Sequence, residues 1–312
     1  MKRAVSISLG SPKRDFSEAL NLLGQEVRVE RIGTDGDQVR AVKLIRDLDS
    51  APGNHVGAIG LGGIDLYLYI GQKRYTFREA QKLAGQAKHT PIVCGAGIKN
   101  TLERRVVERL NTAFGLEGKK VFMVSAGDRW GMAEALSRTG AKVRYGDLVS
   151  LLGLPLPIRS LNASRLLGHT LMPFVRHLPI KWIYPTGSAQ EQDGKSNFSR
   201  FYAWADVIAG DWHLVRRYLP PHLNGKIILT NTTTAENVQL LRERGAKLLV
   251  TTTPRLNGRS IPTNMLEAAL VTASGGKLLT LEETDALVRR AGLTGELVEL
   301  QSPTPSPVPV DA

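Results

Sequence analysis

Short runs rich in Val and Ile recur along this chain, and most are separated by stretches long enough for a helix. AVSISL (4–9), EVRVERI (26–32), HVGAIGL (55–61), TPIVC (90–94), KKVFMVSA (119–126), AKVRY (141–145), IKWIY (180–184), DVIAG (206–210), GKIILTN (225–231) and KLLVTTT (247–253) carry the pattern. A strand covered by helices on both faces reads as a nearly continuous apolar run, so this alternation predicts βα units and parallel pairing. The expected fold is α/β, with two Rossmann-like domains whose mostly parallel sheets are flanked by helices. LYLYIGQKRYTF (66–77) departs from the rhythm, because Gly71-Gln72 would close a local hairpin.

Helices are expected over DQVRAVKLIRDLD (37–49), FREAQKLAGQA (77–87), IKNTLERRVVERLNTAF (98–114), GMAEALSRTG (131–140), TAENVQLLRERG (234–245) and NMLEAALVTA (264–273). In the third, Ile98, Leu102, Val106, Leu110 and Phe114 fall on one face at helical spacing. Gly115 and Gly118 then punctuate the chain. The 312 residues therefore divide into an N-terminal α/β domain over 1–116, carrying the substrate site, and a Rossmann-like domain over 117–300, carrying the nucleotide site. The proline-rich QSPTPSPVPVDA (301–312) is expected to be a disordered tail.

No apolar run approaches the roughly 20 residues of a membrane helix. The only cysteine, Cys94, excludes an internal disulfide and a multi-thiolate zinc site and fits a reducing cytoplasm. No metal site is expected. The formal net charge of +12 is spread out, without a basic run. It suits a small anionic ligand, and any nucleic-acid contact should be weak and salt-sensitive. A homo-oligomer is left open.

Three clusters carry chemistry. In KKVFMVSAGDRWGMAEALSRTGAKVRYGDL (119–148) an apolar strand leads through SAGDRWG into a helix, whose free N–H groups suit a pyrophosphate. Ser125, Gly127 and Gly131 would face the cofactor. Asp147, twenty residues beyond Gly127, has the spacing of an acid that binds ribose hydroxyls. The acid favours NAD over NADP, with Arg144 three residues earlier opposing that choice. An ordinary βαβ unit explains the same string equally well. In the N-terminal half, strand ends carry Ser11, Asp35, Asp65 and Lys99, which would converge on one rim if the strands are parallel. Lys99 is the candidate acid/base and Asp65 the group that would orient the substrate hydroxyl, with Ser11, Asp35 and Asn100 the candidate substrate contacts. Lys99, placed near a helix start, is expected to lose its proton more easily than a free lysine. In the C-terminal half, Asp211, His213, Asn231, the threonines 232–234 and 251–253, Arg255 and Arg259 follow strands. Thr233 or Thr234 would cap a helix, and the two arginines would clamp a carboxylate or phosphate.

GTDGD, GLGGIDLYL, GAGIKNTLERRVVE, VSAGDRWGMAEAL, AGDWHLVRRYLP, NTTT and TTTPRLNGRS together resemble the bacterial quinate 5-dehydrogenase family, over nearly the whole chain. The resemblance implies NAD(P)-dependent oxidation of a ring hydroxyl of quinate or a related hydroxy acid, by a substrate domain followed by a nucleotide domain. Where shikimate and quinate dehydrogenases carry a glycine-rich GAGG turn, this chain has SAGDRWG. A non-redox anion- or nucleotide-binding regulator, or a weak nucleic-acid binder, is the alternative.

Overall fold

The computed structural model describes residues 2–50, 56–179 and 198–301. In the first half the chain runs β1 (Lys2–Ser8), β2 (Phe16–Leu22), β3 (Gln25–Gly33), α1 (Gln38–Ser50), β4 (Val56–Gly62), β5 (Tyr67–Ile70), β6 (Lys73–Thr76), α2 (Arg78–Ala84), β7 (Ile92–Val93), α3 (Ala96–Asn100) and α4 (Leu102–Phe114). The second half continues with β8 (Lys120–Met123), α5 (Trp130–Ser137), β9 (Lys142–Tyr145), α6 (Asp147–Leu152), α7 (Leu161–Val175), α8 (Ser199–Trp204), β10 (Val207–Ala209), α9 (Trp212–Arg217) and β11 (Ile227–Thr230). It closes with α10 (Ala235–Glu243), β12 (Leu248–Thr251), β13 (Arg255–Leu256), β14 (Arg259–Ser260), α11 (Thr263–Ala273), α12 (Leu281–Arg290) and β15 (Glu296–Glu299).

Two mixed, mostly parallel sheets result, as the apolar rhythm predicts. The first has the order β2-β3-β1-β4-β7, and only β2 runs antiparallel. The second has the order β15-β12-β11-β10-β8-β9, with β15 antiparallel at its edge. Ala4, Val5 and Ile7 of β1 are buried, as are Ile227, Ile228 and Leu229 of β11. The two antiparallel edge strands, β2 and β15, escape the Val/Ile pattern. FSEALNL alternates exposed and half-buried residues, and its turn to β3 is made by Leu23 and Gly24, both at positive φ. The local hairpin over β5 and β6 forms around Gly71. IKWIY and the tail beyond Gln301 lie outside the described residues.

The expected helix over 98–114 breaks at Thr101, whose hydroxyl donates to the Gly97 carbonyl and whose backbone leaves helical geometry. The two halves are then tied by packing. Helix α11, from the second half of the sequence, lies on β1, β3 and β4 of the first sheet. Gly60 of β4 permits this, since a Cβ there would meet the Asn264 backbone. Helix α5 presses on α3 in the same way, and a Cβ on Gly131 would collide with the Lys99 carbonyl. In each sheet the strand order reverses beside the first strand, at β1/β4 and at β8/β10. Open α/β sheets bind ligands in the crevice at the carboxyl side of such a reversal.

Replacing Gly131 with Val should therefore force α5 away from the backbone that carries Lys99. The expected cost is about 1–3 kcal/mol, read as a lower urea midpoint with an unchanged slope.

Candidate functional site

The carboxyl ends of both sheets open into one cleft of about 550 Å³. Strand β1 lends it Ser6 and Ser8, and the turn after β4 lends Gly63 and Asp65. Lys99 enters from α3, and Ser125, Gly127, Asp128 and Arg129 from the turn after β8. Asp211 and His213 follow β10, and Asn231 and Thr232 follow β11.

A buried ionic network forms the floor. Lys99 Nζ lies 2.8 Å from Asp65 Oδ1 and 2.9 Å from Asp128 Oδ1. Arg129 Nε is 3.3 Å from the other oxygen of Asp128. The same guanidinium donates to Glu103, and to Asp211 Oδ2 at 2.8 Å. Arg129 and Glu103 side chains are 1% and 0% exposed. Glu103 also accepts from the Thr252 hydroxyl at 3.2 Å.

Burial alone would pull the Lys99 pKa down, but Asp128 and Asp65 outweigh it and raise the pKa above the usual lysine value. This overturns the expectation of an easily deprotonated amine. Helix α3 has only five residues and Lys99 lies in its last turn, where the helix dipole favours a cation. Burial likewise opposes the charge of Asp211, yet Arg129, His213 and Lys99 together hold its carboxyl well below the usual range.

Lys99 and Asp65 are thus brought together in the cleft. Ser125 and Gly127 also reach it, but the turn they form is clasped from behind. Asp147 Oδ1 accepts from the Gly127 N–H and from the Ser125 hydroxyl, each at 2.9 Å. The second oxygen of Asp147 is buried without a hydrogen-bond partner. Gly131 serves helix packing. Ser11, Asp35 and Asn100 do not line the cleft. Ser11 caps a short turn over Pro12–Arg14. Asp35 is exposed at a left-handed turn position. The Asn100 amide donates to the Ala96 carbonyl. Thr234 caps α10, with Asn237 completing a reciprocal capping box. Arg255 is held within its β13–β14 hairpin by the Gly258 carbonyl, whereas Arg259 reaches the cleft.

Sequence reasoning missed Arg129 and Glu103 of the network, and it missed Glu267. Glu267 projects from α11, accepts from Gly95 N–H at 2.5 Å and Gly97 N–H at 3.0 Å, and so caps α3 from another part of the chain. Its only sequence signal is an acid inside the apolar helix TNMLEAALVTA. Burial pushes its carboxyl up to about 7, against the pull of the two N–H donors.

Fold and cleft define a two-domain α/β protein with a charged cleft between its sheets. Residues 97–300 match the family described as Domain of unknown function (DUF8754), and the chain belongs to that family. Residues 3–94 match Domain of unknown function (DUF8753). Among curated proteins none matches. Similar solved structures include a glutamate dehydrogenase, at 14% identity over 93% of this chain and 71% of that one, with a TM-score of 0.44. They also include GanP, a glucose-galactose binding protein from Geobacillus stearothermophilus, at 10% identity over 96% and 97%, with a TM-score of 0.39. A galactofuranose binding protein shares 11% identity over 93% and 98%, with a TM-score of 0.37. Among the described residues no helix is long and apolar enough to cross a membrane.

The site predicts a pH dependence. Folded Glu267 keeps its proton up to about pH 7, whereas the reference glutamate value is 4.5. Between those values the folded state binds more protons, so its contribution to stability falls as pH rises through the window and levels off above it. The stability gap between wild type and Glu267→Gln should therefore change by up to about 3 kcal/mol across the window. Urea unfolding at several pH values measures it.

Proposed function

We propose that this chain is an NAD(P)-linked oxidoreductase acting on a secondary or ring hydroxyl of a small quinate- or shikimate-like hydroxy acid bound in the cleft. The observation that carries the reading is the buried Lys99–Asp65 pair, 2.8 Å apart, where the carboxyl ends of both sheets meet. A bound nicotinamide would supply or accept the hydride. In the reducing direction the Lys99 ammonium gives a proton to the carbonyl oxygen as it becomes a hydroxyl. In the oxidising direction neutral Lys99 takes the hydroxyl proton as the C–H bond breaks. Asp65 and Asp128 hold Lys99 protonated, so oxidation should speed up towards alkaline pH.

Ser125, Gly127 and Asp147 would hold the dinucleotide, with Gly131 setting how closely α5 packs. Asp147 lies behind the turn, outside the cleft lining, so it would meet a ribose only if the turn opened; its charge would favour NAD over NADP. The Arg144 guanidinium is stacked 3.8 Å from the Trp204 ring centroid. A second reading, a non-redox binder of small anions, is favoured by Asp128. Its carboxylate lines the cleft at the turn where a pyrophosphate would lie, and the Gly127 N–H is already given to Asp147.

Titration with NADH separates the two. Enhanced nicotinamide fluorescence on mixing is expected, and its absence at saturating protein sinks the redox reading. With the best hydroxy acid found, Lys99→Met should keep NADH binding while turnover falls by roughly 10²–10⁴-fold.

A further inference from the structure

Three arginines that belong to no part of the Lys99 network line the same cleft. Arg14 closes the Pro12–Arg14 turn ahead of β2, Arg31 lies near the end of β3, and Arg259 lies on the β13–β14 hairpin of the other half of the chain. The Arg31 side chain is 8% exposed. Its Nη1 donates to Asp15 Oδ1 at 2.6 Å and to the Ser11 carbonyl at 3.0 Å, and its Nη2 to Ser8 Oγ at 3.0 Å. Arg14 Nη1 lies 2.9 Å from His213 Nε2. Arg259 donates to the Arg14 carbonyl at 2.7 Å and lies over the Phe16 ring at 5.2 Å. It makes no ion pair with an acid among the described residues.

Like charges held together in a partly desolvated cleft raise the free energy of the empty site. Their effect is visible on Arg31. Burial lowers its pKa, Asp15 resists, and both Arg14 and Arg259 push it further down. An entering oxyanion would reverse that repulsion and receive forked, charge-assisted hydrogen bonds.

We propose that Arg14, Arg31 and Arg259 form an oxyanion subsite that receives a carboxylate or phosphate group of the ligand. Arg259 comes from the second half and the other two from the first, so a bound anion bridges the halves. The subsite rests on the function proposed above only in using the same cleft; it requires no redox step.

Isothermal titration calorimetry with inorganic phosphate and with malonate, in the absence of nucleotide, tests it. At least one anion should bind wild type at low ionic strength. Tighter malonate binding identifies a carboxylate-reading site, and tighter phosphate binding a phosphate-reading one. Arg259→Gln should weaken that binding by roughly tenfold or more, with unchanged circular dichroism. Arg259→Lys, which keeps the charge without the fork, should fall between. Arg289→Gln, outside the cleft on exposed α12, should bind as wild type does. Failure of both anions to bind wild type, or equal binding by a folded Arg259→Gln protein, overturns the subsite. The NADH titration is independent, so either proposal can fall while the other stands.

Discussion

Arg129 is the charge around which the two halves close. Its guanidinium, wholly buried, meets Glu103 of α4, Asp128 of its own turn and Asp211 after β10. Asp128 passes the connection to Lys99 and so to Asp65 of the first half. Burying so many charges is expensive, and the arrangement persists only because each cation faces more than one acid. Without Arg129, Glu103 and Asp211 would be left buried and uncompensated, at a cost of about 3–5 kcal/mol. Such a network adds little net stability over apolar packing. What it provides is a fixed position for Lys99 and Asp128 where the strand ends meet.

That position is held from two further directions. Helix α5 touches the backbone of Lys99 through Gly131, and Glu267 of α11 grips the N–H groups of Gly95 and Gly97 ahead of it. A five-residue helix cannot hold its own geometry in water. Its order comes from outside, from an acid and a glycine contact contributed by the second half of the sequence. Lys99 is therefore placed by long-range packing, although its strand and turn are local.

This division explains what could be read in advance. The parallel strands announce themselves, because burial on both faces demands apolar runs, and their glycine-rich ends mark the cleft. Lys99, Asp65, Ser125 and Gly127 follow from that geometry alone. The edge strands β2 and β15 were hidden because one covered face leaves only alternation or mixed polarity, and because Leu23-Gly24 is not a common hairpin turn sequence. The break at Thr101, where the backbone tightens to a Thr101 N–H bond on the Ile98 carbonyl, is hidden by the continuous apolar stripe from Ile98 to Phe114. The protonation of Lys99 was misjudged for a related reason. Its helix position is local, but Asp128, which dominates its charge state, arrives from another strand end.

The cleft sorts its charges by position. Around Lys99 every cation is matched by acids, so that region offers a proton and a place for a neutral oxygen, with little net pull on an anion. Around Arg259 the balance is less complete: Arg31 is paired with Asp15 and Arg14 contacts His213, whereas Arg259 makes no ion pair with an acid among the described residues. A ligand that satisfies both must be short and polar, with a hydroxyl or carbonyl directed to the Lys99–Asp65 pair and an acidic group to the arginines. A hydroxy acid has that distribution of charge. Its acid group would then lie among the arginines of both halves, and its uncharged oxygen would face Lys99, the one lysine among the described residues of the cleft.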